Sequence, residues 1–72
     1  MKKKIDVDIT LYRGDAIVEG GIDGLYSGSF ASLQEAKEKV DRLWDCYAYA
    51  WHVTSIIASS RRSGEILYER KK

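Results

Sequence analysis

Residues 5–11 read Ile5-Asp6-Val7-Asp8-Ile9-Thr10-Leu11, with an apolar residue at every odd position and a polar one at every even position. Side chains of a strand alternate between faces, so this period of two specifies a strand with one buried and one wet face. A strand needs a neighbour, and Arg13-Gly14-Asp15 offers a tight reversal because a glycine there accepts positive φ. Ala16-Ile17-Val18-Glu19 then reads as the returning strand. With Gly14-Asp15 as the loop, Leu11 faces Val18, Ile9 faces Gly20 and Val7 faces Ile22, so the apolar positions meet on one face. Gly20, Gly21 and Gly24 predict a bulge or bend that breaks this second strand before Leu25-Tyr26.

The period changes at Ser32-Leu33-Gln34-Glu35, which matches the S-x-x-E capping box of a helix start. Leu33, Ala36, Val40, Leu43, Trp44 and Tyr47 follow at helical spacing along one stripe. Glu35 with Lys39 and Glu38 with Arg42 are favourable i,i+4 pairs. From Tyr49 the pattern reads as strand again, with β-branched and aromatic residues through Ala58. Arg62-Ser63-Gly64-Glu65 is a turn and Ile66-Leu67-Tyr68 a short last strand. The order is ββαββ: an α+β domain over residues 1–72, with a mostly antiparallel four-stranded sheet and one helix packed on one face. Residues 1–4 and 70–72 are basic and are expected to fray as tails. The register of the second hairpin stays open, because loops of different length around Ser63-Gly64 exchange the pairings of Ile56 and Ile57. In either register apolar side chains reach both faces, and a single helix covers only one.

A chain of 72 residues buries only about 60% of its unfolded surface, so small domains of this kind lean on disulfides, metals or partners. One cysteine excludes an internal disulfide, and Cys46 with His52 cannot complete a four-ligand zinc site. A second copy is the supplement left, and a homodimer without cofactor or metal is expected. No apolar run approaches the roughly 20 residues of a membrane span, and the first ten residues lack the apolar core of a signal peptide. A cytoplasmic location is the expectation.

The candidate sites compete with plainer readings. Cys46 and His52 could form a thiol nucleophile pair, but no signature surrounds them, and packing is the economical role. The register above places Asp6 across from Asp23, with Asp8 and Glu19 on the same wet face; these four carboxylates are a candidate protein-binding patch. Tyr49, Trp51 and Tyr68 are a candidate aromatic one. The alternative is nucleic-acid binding, in which sheet aromatics stack on bases while Lys2, Lys3, Lys4, Arg61, Arg62 and Arg70 contact phosphates.

Gly28-Ser29-Phe30-Ala31-Ser32-Leu33-Gln34-Glu35-Ala36, with Asp41, resembles the strand-to-helix run of AP2-type DNA-binding domains over about a fifth of the chain. That resemblance implies DNA reading by Arg- and Trp-rich strands before the run, where this chain has Asp6, Asp8, Glu19 and Asp23, which repel a duplex. The element order is also similar to β-grasp immunoglobulin-binding domains in topology, and topology does not carry function. The functional expectation is therefore a small non-enzymatic protein-binding or regulatory module, homodimeric, of the bacterial or phage accessory type that includes inhibitors of host enzymes.

Overall fold

A computed structural model describes residues 4–20, 24–50 and 52–71, with the side chains of 48–50 excepted. The alternating segment forms β1 (Ile5–Arg13), and Val7, Ile9 and Leu11 are buried as the period requires. Two short strands, β2 (Ala16–Glu19) and β3 (Gly28–Phe30), pair with β1. The strand β4 (Ser55–Ser60) pairs with it from the other side, and β5 (Ile66–Lys71) pairs with β4. Val7 is shared by Gly28 and Ser60, and Leu11 by Glu19 and Ile56, so β2 and β3 occupy one edge of β1 in succession. The result is an α+β fold, one helix α1 (Leu33–Ala50) against a five-stranded antiparallel sheet.

The fifth strand arises where the edge partner of β1 is broken. The Gly14-Asp15 loop is present, with Arg13 opposite Ala16 and Tyr12 opposite Ile17, and only Gly14 of the two has positive φ, at 60°. That combination is the pattern of a type II′ hairpin turn. A bulge follows, so Leu11 faces Glu19 rather than Val18; β2 ends there, and Val7 faces Gly28 of β3 where Ile22 was expected. Between the two short strands a side chain takes the place of a strand residue. The Ile9 amide donates to Ser27 Oγ at 2.9 Å, and the same hydroxyl lies 3.5 Å from the Ile9 carbonyl as donor. An edge that would leave a buried backbone donor unpaired is thereby closed.

The helix begins as its capping residues specify. The Glu35 amide donates to Ser32 Oγ at 3.2 Å, and Glu35 Oε2 accepts from the Ala31 amide at 3.3 Å. Ala36, Val40 and Leu43 are buried against Val7, Ile9, Leu11, Ile56 and Ala58, with Trp44 and Tyr47 packed at the margin. Each fully buried aliphatic side chain contributes about 1.5–3 kcal/mol. The helix continues through Tyr49 to Ala50, and β4 starts only at Ser55, so the strand expected from Tyr49 is corrected. The alternation Tyr47-Ala48-Tyr49-Ala50 imitates a strand, but alanine is the strongest helix former and extends the helix already under way. His52, at φ 55°, lies in the left-handed conformation beyond the helix end.

The second hairpin turns over 61–64. Ser60 donates its amide to Glu65 O at 2.8 Å, Gly64 donates to Ser60 O at 2.7 Å, and Gly64 has φ 77°. A bulge at Ala58/Ser59 offsets this longer turn and sets Ile56 opposite Arg70 and Ile57 opposite Glu69. Ile56 and Ala58 therefore face the helix, and Ile57 faces away from it. The last strand runs on through Arg70 and Lys71, taking in residues expected to fray.

Candidate protein-binding site

The three described carboxylates of the expected acidic patch are each engaged within the chain. Asp6 stands opposite Ser29, whose hydroxyl donates to Asp6 Oδ1 at 2.6 Å. The Asp6–Asp23 juxtaposition therefore gives way to an aspartate–serine pair, and Asp23 itself lies outside the described residues. Asp8 accepts from Arg61 Nε at 3.0 Å, with its side chain 13% exposed. Glu19 leaves the face shared by Asp6 and Asp8, because the bulge places it opposite Leu11, a core residue. Its Oε1 accepts from the Leu25 amide at 2.8 Å, holding the loop that carries Tyr26.

The aromatic candidates divide similarly. The side chain of Tyr49 and all of Trp51 lie outside the described residues. Tyr68 points to the helix, donating to Asp41 Oδ1 at 2.9 Å, and Arg70 Nη1 donates to the same oxygen at 2.7 Å. The Arg70 guanidinium sits 5.6 Å from the Trp44 ring centre. Asp41 is held below the usual carboxylate range, first by the Tyr68 hydroxyl and then by Arg70, while the bond to Asp41 raises Tyr68. With side chains 41% and 44% exposed, the Arg70–Asp41 pair is screened by water. Its main effect is to fix where helix and edge strand meet. On the other side of the helix, Tyr26 and Tyr47 share a hydroxyl–hydroxyl bond of 2.5 Å. That bond, followed by burial, pushes Tyr26 up to about 12.

Cys46 is exposed on the helix, not packed as expected, and His52 is exposed as well. The bulky stripe positions around Cys46 are Leu43, Trp44 and Tyr47, which leaves Cys46 on the outer side. Among the described residues no group of three metal-ligating side chains occurs. Among the described residues no helix is long and apolar enough to cross a membrane.

Two surfaces remain open. Pairing places Tyr12 beside Ile17 and Ser55, Thr10 beside Ile57, and Ser59 beside Ile66, all on the side of the sheet opposite Val7, Ile9 and Leu11. Ile17, Tyr12, Ile57 and Ile66 thus run diagonally from β2 to β5 on the face away from the helix. Ile17 is 62% and Ile66 57% exposed. These residues were not singled out in the sequence, although the apolar residues expected on both faces of the second hairpin were their signal.

The second surface is an open groove of about 840 Å³ where the helix starts, between the beginning of β1 and the β4–β5 turn. It gathers Lys4, Arg61 and Arg62, three of the cations of the nucleic-acid alternative, around the apolar side chains of Ile5, Leu33 and Leu67. Arg70 is elsewhere, tied to Asp41, and Lys2 and Lys3 lie outside the described residues. Comparison with protein-family models, with curated proteins and with solved structures gives no match.

Proposed function

We propose that the chain is a non-enzymatic protein-binding module that pairs with a second copy of itself through the face of its sheet away from the helix. The observation that carries this reading is the diagonal stripe of Ile17, Tyr12, Ile57 and Ile66 on the face away from the helix, whose two ends are 62% and 57% exposed while Thr10 beside it is buried. A two-fold axis brings one such patch onto its own copy, and sheets packed face to face bury alternate side chains of this kind. The chain is small enough for the added burial to matter to its stability. Accessory and regulatory proteins, including inhibitors of larger enzymes, act through protein–protein contact, which makes a regulatory role the natural setting for the module.

The stripe also sets the strength of the pairing. Strand spacing and rise give it a footprint of about 250 Å², well below the roughly 800 Å² per partner of a standard interface. Self-association should therefore be weak and concentration-dependent. The nucleic-acid alternative is less well supported, because Tyr68 faces the helix and its hydroxyl is committed to Asp41. Sedimentation equilibrium tests the proposal: the average mass should climb above the monomer value with concentration, and Ile66→Lys and Ile17→Lys should each hold it at the monomer value. A wild-type chain that stays strictly monomeric at the highest attainable concentration contradicts it.

A further inference from the structure

We infer that the groove at the start of the helix is a second interaction site, independent of the sheet face, and that it takes an acidic peptide segment anchored by one aliphatic side chain. Its floor is Ile5, Leu33 and Leu67, contributed by the first strand, the first helical residue and the last strand. Leu33 is 38% exposed although it belongs to the helix's apolar stripe, so the stripe runs past the end of the core into this opening. Around that floor stand Lys4, Arg61 and Arg62. The one carboxylate in the lining, Asp6, already accepts the Ser29 hydroxyl, and Arg61 is oriented by Asp8 at 3.0 Å.

Charge complementarity selects the occupant. With Arg61 already paired to Asp8 and Asp6 accepting the Ser29 hydroxyl, Lys4 and Arg62 leave the lining net positive and favour an anionic ligand, and the apolar floor favours a ligand that also carries an aliphatic group. The volume lies within the roughly 300–1,000 Å³ of binding clefts. The groove opens to solvent, which lets a peptide segment enter it. A nucleic-acid strand would meet the cations but not the floor, since single strands are held by stacking on aromatic rings and none lines this groove. The fold supplies the site by bringing residues 4–6 and 60–62 together, with the Arg61 amide donating to Asp6 O at 3.1 Å.

Nuclear magnetic resonance with isotope-labelled protein tests this. The probe is a short synthetic peptide with one leucine flanked by glutamates, compared with a serine-for-leucine version, a lysine-for-glutamate version and oligo-uridine RNA. The expected result is saturable amide shifts at Ile5, Leu33, Arg61, Arg62 and Leu67 with the first peptide, weakened by salt. Both altered peptides should bind at least about tenfold more weakly, as loss of a buried anchor or of charge pairing implies. Leu33→Asp, an exposed position where an acidic residue suits the helix start, should keep the fold and lose the binding. Equal shifts from all three peptides, unchanged affinity in Leu33→Asp, or tighter binding of the RNA at these amides would each overturn the inference.

Discussion

Gly20 is where the fold tolerates least, and the comparison with Gly14 shows how much. Both glycines lie in the first hairpin and both have positive φ, 60° at Gly14 and 133° at Gly20. A β-carbon built on Gly14 meets nothing within 4 Å, whereas one built on Gly20 comes within 2.4 Å of Thr10 Cα and 2.5 Å of Ile9 O. Gly14→Ala therefore costs only the positive-φ backbone that a type II′ turn requires there, about 1–3 kcal/mol. Gly20→Ala adds a collision with the backbone of the central strand, which cannot retreat without breaking its pairing with β4. A sparsely populated backbone region costs about 1–3 kcal/mol and overpacking a further 1–3, so the total is about 2–6 kcal/mol. A domain of this size has roughly 4–11 kcal/mol in all. At about 4–8 °C per kcal/mol, Gly14→Ala should lower Tm by roughly 4–24 °C, and Gly20→Ala by tens of degrees or to complete unfolding. Thermal and urea unfolding followed by circular dichroism measure both. If Gly20→Ala loses no more than Gly14→Ala, the close crossing at Thr10 is wrong, and with it the bulge that sets Glu19 opposite Leu11.

Further expectations rest on single contacts. Ser27→Ala should cost about 1–3 kcal/mol in urea denaturation and speed hydrogen exchange at the Ile9 amide, since it strips the partner from that donor. Asp41 has a folded pKa below its unfolded value, so its contribution is present at neutral pH and fades as pH falls through the lowered value. Asp41→Asn should flatten that acid limb of the stability curve. Tyr26 behaves with the opposite sign: its pKa is raised to about 12, so its contribution is present below the ordinary tyrosine range and is lost as pH climbs toward 12. Tyr47→Phe should bring the late tyrosinate absorbance step to lower pH.

The parts of the fold legible in the chain are those with a local cause. The period of two in Ile5–Leu11, the Ser32–Glu35 cap and the stripe Ala36, Val40 and Leu43 each act within a few residues of themselves, and each appears where the pattern places it. The bulges at Leu11/Tyr12 and Ala58/Ser59 depend on how two distant segments fit, and each shifts every pairing beyond it by one residue. The first bulge moves Glu19 off the face of Asp8, and the break between β2 and β3 brings Ser29 rather than Asp23 opposite Asp6. Tyr47-Ala48-Tyr49-Ala50 misleads for a different reason, since a short alternation is outweighed by the helix that precedes it. The acidic residues conspicuous in the sequence turn out to be joined to Ser29, Arg61 and Leu25, and the open surfaces are built from Ile17, Ile57, Leu33 and Ile66, whose exposure depends on long-range register.

Amide spectra across a dilution series show whether the sheet face away from the helix is where two copies of the chain meet. Concentration-dependent shifts should be confined to Tyr12, Ile17, Ile57, Ile66 and their neighbours on that face, with the amides of the helix unmoved. Shifts that map to the helix or to the outer edge of β5, or spectra that do not change with concentration at all, would contradict it.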